Sequence, residues 1–171
     1  VQFLDSEFAE LTVAAALEQN PFTLSVAQAG RNSISGSASP KSKTRTYYCG
    51  YALKSDFDKY ASTEEFIGSV RRKLSASALI AGVSFEEYLA AQLVQGDHPF
   101  EFTGLKPETD YVVYAVGWYA PGDLLTTVLV SAPATTLPDA SGEVTVTFEN
   151  VASDGFDVVC TPDAAIEKYY V

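Results

Sequence analysis

Residues suited to acid–base catalysis are few in this chain of 171 residues. Two carboxylates at a suitable separation can hydrolyse a glycosidic bond, one as the acid and the other as base or nucleophile. The close carboxylate pairs are Asp56/Asp58, Glu64/Glu65 and Glu86/Glu87. The last two pairs follow Ser62 and Ser84 in the order of a capping box, and acids near a helix N-terminus interact favourably with the helix dipole. These two pairs therefore indicate helix starts rather than a hydrolytic site.

Metal ligands and nucleophile motifs are also scarce. Asp56 and Asp58 make a weak calcium motif, because the further oxygen ligands of a loop site are missing. The single histidine, His98, follows Gly96 and Asp97 in a predicted turn, where a solvated or capping role is more common than catalysis. The sequence contains no nucleophile elbow, phosphate loop, dinucleotide fingerprint or zinc-ligand spacing. We expect a chain that is not an enzyme and that holds no cofactor and no metal.

The two cysteines, Cys49 and Cys160, each lie in a predicted strand. The domain boundaries given below place them in different domains, so we expect no bridge between them. A free cysteine in a strand packs as a small buried hydrophobe. The cysteine count therefore says little about the redox compartment.

Aromatic residues offer the best candidates for ligand contact, with ten Tyr, ten Phe and one Trp. Exposed rings at the rim of a sheet can stack on a sugar or anchor a protein partner. Trp118 and Tyr119 immediately precede the tight turn Ala120–Asp123, and we take them as the candidate ligand-binding residues. The competing interpretation is that most of the rings belong to the core.

The composition is acidic, with a formal net charge of -11. An acidic surface repels phosphate backbones, so we expect no nucleic-acid partner. Solubility explains such a charge, and a calcium ion or a cationic partner is the sharper alternative. The hydrophobic fraction of 47% can build a core, while no apolar run is long enough to span a membrane.

A proline-bearing turn leads into a strand that opens with Tyr111. The segment resembles the fibronectin type III signature, L-x-P-x-T-x-Y-x-V-x-A, at Leu105, Pro107, Thr109, Tyr111, Val113 and Ala115. The resemblance implies an immunoglobulin-like antiparallel β-sandwich. It also implies a tyrosine corner, in which the ring of Tyr111 enters the core and its hydroxyl bonds a nearby backbone group.

Residues 22–49 and 144–171 align without gaps at an offset of 122, that is, 144 minus 22. The matched pairs include Thr23/Thr145, Pro40/Pro162, Tyr47/Tyr169 and Tyr48/Tyr170. This repeat predicts the same strand–turn–strand unit twice, followed by an aromatic third strand. The second copy stops inside its third strand, so we expect either a fragment of a longer tandem protein or a tail that pairs with another chain.

Residues 54–98 predict two helices inserted between strands C and E of the sandwich. Apolar residues recur at helical spacing in the first helix, at Phe66, Ile67, Val70, Leu74 and Ala78. The strand that begins at Tyr111 is apolar on both faces, and we predict that the helices cover its outer face, formed by Val112, Tyr114, Val116 and Trp118. The alternative is an open face that binds a partner. A further strand is predicted at Leu124–Val130.

The predicted organisation therefore has three parts. Residues 1–20 are a remnant strand or a linker, with a short amphipathic helix as the alternative for part of them. Residues 21–137 form a fibronectin type III-like domain that carries the helical insertion. Residues 138–171 are a linker and the first strands of a second such domain, through which we expect a domain swap or a dimer.

The resemblance implies a non-catalytic module at the cell surface or outside the cell, of the kind found in bacterial tandem-repeat lipoproteins. Such a module would act in adhesion, or it would separate and present other domains. Its partner would be a protein or a glycan at the cell surface. A parent chain or a lost lipid would anchor it in the outer membrane. One alternative is a carbohydrate-binding accessory module of a polysaccharide-processing system. Another is part of an enzyme whose active site lies elsewhere in a longer parent chain. A fold alone does not decide between them.

Overall fold

The structure, a computed structural model, describes residues 17, 19, 21–139 and 144–162. This part of the chain is mainly β, with antiparallel sheets and few helices, as the sequence predicts. The interpretation of residues 1–20 as a strand or linker lies outside the described residues except at positions 17 and 19. The predicted third strand of the second repeat, with Tyr169 and Tyr170, also lies outside them.

Within residues 21–139 the chain forms eight strands, and three helices lie between the third and the fourth strand. They are β1 Phe22–Ala29, β2 Ser33–Pro40, β3 Thr46–Leu53, α1 Lys54–Phe57, α2 Thr63–Ala81, α3 Phe85–Gln92, β4 Val94–Gln95, β5 His98–Thr103, β6 Asp110–Tyr119, β7 Leu124–Leu125 and β8 Val130–Thr135. None of the helices in the described residues has the length and apolar character needed to cross a membrane.

Two sheets are built from these strands. The first has the order β1-β2-β5, and the second has the order β4-β3-β6 with both β7 and β8 paired to β6. Every pair is antiparallel. Only the two ends of the single strand predicted at Leu124–Val130 are strand, in β7 and at the start of β8. Between them the side chain of Thr127 accepts from the backbone N–H of Gly117 at 2.8 Å. The short strand β4 was not predicted, and it pairs with Thr46 and Tyr47.

Strand β6 is buried on both faces because its side chains alternate between two cores. Tyr111, Val113 and Ala115 pack with residues of the first sheet, such as Ile34 and Phe100. The outward residues pack with the helices in a second cluster, whose buried members are Phe66, Ile67, Val70, Leu74, Leu89, Tyr114, Val116, Trp118 and Ala120. The alternative of an open outer face is therefore wrong.

Both helices that provide this cover begin at their capping serines, and α2 ends at Gly82, whereas α3 ends at Gln92, before the glycine and proline at positions 96 and 99 that would stop a helix. Ser62 accepts from the backbone N–H of Glu65 at 3.2 Å at the start of α2, and Gly82, with φ of 71°, ends it in the left-handed region. Ser84 and Glu87 form a reciprocal capping box at the start of α3.

The residues of the Leu105–Tyr111 motif form a compact corner. Tyr111 is 4% exposed, and its hydroxyl oxygen accepts from the backbone N–H of Lys106 at 2.9 Å. Thr109 donates its hydroxyl to the carbonyl of Pro107 at 2.7 Å, and Leu105 is buried. The ring thus fills the core while its polar end satisfies a backbone donor of the turn.

Candidate functional site

The carboxylate pairs serve local structure. Asp56 forms an ion pair with Lys59 at 2.5 Å, and the hydrogen bond from Lys59 lowers the pKa of Asp56. Hydrogen bonds from Ser84 lower the pKa of Glu87, and Glu86 accepts from the backbone N–H of Gly122 at 3.0 Å. Within the described residues no three or more His, Cys, Asp and Glu side chains are grouped to hold a metal ion.

His98 and Cys49 lie in strands. The sequence predicts a turn at His98, but this half-buried residue begins β5 and pairs with Ala38 across the ladder. Burial raises the pKa of the Cys49 thiol to about 11, so the thiol stays protonated and unreactive near neutral pH. The two cysteines, both within the described residues, form no disulfide.

Trp118 is wholly buried, at 0% exposure. Its indole Nε1 donates to Asp123 at 2.8 Å, and the other oxygen of Asp123 lies 2.7 Å from Nε of Arg71 on α2. The guanidinium of Arg71 stands 5.5 Å from the centre of the indole ring. Trp118 therefore ties α2 to the sheet, and its ring presents no exposed surface on which a ligand could stack.

Tyr119, the second predicted ligand-binding residue, is 52% exposed at the end of β6. Adjacent residues of a strand point to opposite faces, so the step from Trp118 to Tyr119 moves from core to solvent. Across the ladder Tyr119 pairs with Leu124, which is also exposed. The two side chains make a small apolar patch beside the turn.

A larger exposed apolar surface lies on a separate two-stranded sheet, made of β9 Val144–Ala152 and β10 Gly155–Pro162. One face of this hairpin, here called the hairpin face, carries Val144, Val146, Phe148, Phe156, Val158 and Cys160. Phe148 and Phe156 are 62% and 58% exposed, and their ring centroids lie 5.4 Å apart. The opposite face is mostly polar, with Thr145, Thr147, Glu149, Asp157, Val159 and Thr161.

This hairpin has the register of β1–β2. At the offset of 122 the first strands begin at Phe22 and Val144, and the second strands end at Pro40 and Pro162. The ladder pairs coincide from Phe22↔Pro40 to Val26↔Gly36 in the first hairpin and from Val144↔Pro162 to Phe148↔Val158 in the second. The first ladder shifts directly after Val26↔Gly36, and the second shifts one pair later, after Glu149↔Asp157. The apolar face of the first hairpin is covered by a second sheet, whereas no sheet among the described residues covers that of the second hairpin.

The repeat predicts both strands of this hairpin, but their shared face is not among the predicted site residues. The signal was present in the alternation of apolar and polar residues along Val144–Phe148. A strand in which apolar and polar residues alternate has one face suited to burial. Whether another element covers that face depends on the tertiary structure.

Comparison with known proteins does not assign the chain to a family. No protein-family model matches the sequence, and no curated protein matches it significantly.

Proposed function

We propose that the chain is a non-catalytic module of fibronectin type III type, extracellular or at a cell surface, which acts in adhesion or spaces and presents other domains. In this assignment β1, β2 and β5 are strands A, B and E, while β3, β4, β6 and β8 are strands C, C′, F and G. The strand order β1-β2-β5 and the corner at Tyr111 support it. The helices between β3 and β4 are then the insertion that covers the sheet of strands C and F.

The shared register of the two hairpins is the observation that carries the proposal. A second hairpin that begins, ends and pairs as the first does indicates a repeated unit, and such units in series would hold other domains apart from one another. Residues 138–171 then contain the linker and the start of the second unit, and Pro138 lies in that linker.

The exposed Tyr119 favours a second candidate, a carbohydrate-binding accessory module. A tyrosine ring in solvent beside Leu124 offers the apolar platform on which a sugar ring stacks. This candidate now depends on Tyr119 alone, because the buried Trp118 contributes no surface.

Protease treatment of intact cells that make the protein tests the surface role. We expect the protease to remove the protein while a cytoplasmic marker survives, and full protection of the protein would contradict the proposal. A glycan array separates the two candidates: specific retention that is lost in Tyr119→Ala and kept in Tyr119→Phe favours the carbohydrate-binding module. Turnover of a polysaccharide by the purified chain would overturn both.

A further inference from the structure

We infer that the turn between α2 and α3 binds a zwitterionic phospholipid bilayer by inserting its apolar side chains at the headgroup level. These side chains, Leu79, Ile80 and Val83 around Gly82, are here called the helical tip. Leu79 and Ile80 are 82% and 88% exposed, which makes them the two most exposed large hydrophobic residues in the described part of the chain. The inference goes beyond the proposed function, because it gives the helices a role that does not depend on the fibronectin type III assignment.

The helical tip lies in a stretch of sequence without charge. Residues 74–85 contain no Asp, Glu, Lys or Arg, although such residues make up 19% of the chain. In the last turns of α2, Leu74 and Ala78 are buried against the core. With about 100° between consecutive residues of a helix, Ile80 points away from Ala78 and Leu79 points to the side. On the solvent side of a helix polar residues are expected, so these two aliphatic side chains need another explanation.

The turn itself projects into open space and has its backbone donors paired. A Cβ on Gly82 would contact nothing within 4 Å. The backbone N–H of Gly82 donates to the carbonyl of Leu79 and that of Val83 donates to the carbonyl of Ala78, both at 3.2 Å, which are the two bonds of a Schellman motif. Unpaired backbone donors are costly in lipid. This turn can therefore enter the boundary of a bilayer without leaving these two donors unpaired.

Two basic residues lie at the height where lipid phosphates would be. Arg72 and Lys73 are exposed, and they precede Leu79 and Ile80 by seven residues each. Seven residues are about two turns, so each basic residue shares a stripe of the helix with one residue of the helical tip. Two turns measure about 11 Å, and interfacial helices bury their apolar side roughly 5–10 Å deep. Long basic side chains can extend to the phosphates from this position.

The acidic residues that follow the helical tip are bonded to donors of the protein. Glu86 accepts from the backbone N–H of Gly122 at 3.0 Å, and Glu87 accepts from the backbone N–H of Ser84 at 3.0 Å. The chain as a whole has a net charge of -11, which an anionic bilayer would repel. Zwitterionic lipids offer phosphates to the basic residues without this repulsion, and they are therefore the lipid class that fits.

The helical tip suits a bilayer better than a protein partner. The residues that dominate protein interfaces are mostly Trp, Tyr and Arg, whereas Leu and Val are under-represented there. Leu, Ile and Val all insert favourably into membranes. A stable protein interface also needs about 800 Å² from each partner, which three aliphatic side chains do not provide. Lipid can surround a small projecting turn on all sides.

Co-sedimentation of the chain 1–171 with phosphatidylcholine vesicles tests the inference. A single myristoyl chain binds membranes with a constant of about 10⁴ M⁻¹, and we expect the helical tip to bind more weakly, with half of the protein bound at roughly 1 mM lipid. Because apolar contacts are not screened by salt, this binding should persist at about 0.5 M NaCl. No binding at about 10 mM lipid would overturn the inference, and so would binding that salt abolishes.

Serine variants show whether the helical tip makes the contact. Leu79→Ser and Ile80→Ser should each raise the lipid concentration for half binding at least threefold, and together at least tenfold. Both side chains are exposed, so the variants should keep the fold. The matched control is Leu137→Ser, the same change at another exposed leucine, which should leave binding unchanged. Equal binding by the double variant and the control would overturn the inference.

A fluorescent label tests insertion at the same site by a second measurement. In a chain with Cys49→Ala and Cys160→Ala, a polarity-sensitive label on Ile80→Cys should shift its emission to shorter wavelength when vesicles are added. The same label on Leu137→Cys should not shift, and equal shifts at the two positions would contradict insertion of the helical tip. If vesicle binding fails while the protease experiment succeeds, the bilayer contact is wrong and the surface module stands.

Discussion

At the scale of single residues, the structure separates side chains that hold the fold from side chains that a partner can reach. Tyr111 and Trp118 are buried aromatic residues, and the one polar group of each ring system has a hydrogen-bond partner. Tyr119 and Phe148 are exposed rings. Since buried and exposed aromatics look alike in a sequence, their roles depend on which face of a strand they occupy.

Tyr111→Phe removes the hydroxyl that accepts from the backbone N–H of Lys106 and leaves the ring in the core. We expect the free energy of unfolding to fall by about 1–2 kcal/mol, because a partly buried donor loses its partner. Urea denaturation of the chain measures the change. Tyr119→Phe is the control, since that exposed hydroxyl should alter the free energy by less than about 0.5 kcal/mol. If both variants lose the same free energy of unfolding, the hydrogen bond to Lys106 does not stabilise the fold.

Burial raises the pKa of Cys49 from its ordinary value of 9.0 to about 11. The folded thiol keeps its proton after the unfolded thiol has lost it, so its contribution to stability is complete below pH 9 and is lost as the pH rises towards 11. We expect the free energy of unfolding to fall between pH 9 and pH 10, and to fall less steeply in Cys49→Ala. Denaturation curves at several pH values give the free energy of unfolding as a function of pH for the wild type and for Cys49→Ala. Equal slopes in the two proteins would show that the Cys49 thiol does not cause the loss of stability.

At the scale of elements, the attachment of the helices to the sheet depends on the turn between β6 and β7. Asp123 in this turn accepts from Trp118 and pairs with Arg71 of α2, while Gly122 donates to Glu86 of α3. Asp123 has a φ of 54°, a conformation that aspartate and asparagine tolerate better than most residues. One short turn therefore joins both long helices to the strand they cover.

Asp123→Ala removes the acceptor of the buried indole N–H and strains the turn. We expect a loss of about 1–3 kcal/mol in the free energy of unfolding, together with a change in the fluorescence of Trp118, the only tryptophan. Asp123→Asn keeps an acceptor and tolerates the backbone conformation, so its cost should stay below about 1 kcal/mol, the value of a partly exposed ion pair. If the asparagine variant is the less stable of the two, the ion pair matters more than the indole hydrogen bond.

At the scale of the whole molecule, the described chain holds two antiparallel sheets with helices, packed around two cores, and a separate hairpin sheet. The two cores share β6, so we expect the two sheets and the helices to unfold together. The hairpin has the register of β1–β2 but an uncovered face. A two-stranded sheet with an open apolar face is marginally stable by itself.

A chain of residues 21–137 should fold without the hairpin, because both cores lie within these residues. We expect its melting temperature to stay within a few degrees of that of the chain 1–171. Calorimetry of both chains measures this. A large loss of stability would show that residues outside 21–137 complete the core.

The sequence by itself determined the elements whose signals are local. Ser62, Gly82 and Ser84 define the two ends of α2 and the start of α3 through backbone hydrogen bonds a few residues away, and the continuous apolar run along β6 marks two buried faces. The corner at Tyr111 is also local, since Lys106 and Tyr111 are five residues apart in the chain.

Only the tertiary structure decided which aromatic rings and which apolar strand faces are covered. Trp118 is buried because α2 and the turn at Asp123 close over it, and β4 exists because β3 offers an edge to pair with. The hairpin face is open because no described sheet lies against it, although its pattern equals that of the covered face of β1–β2. Burial depends on contacts between residues far apart in the chain, and a local pattern does not contain them.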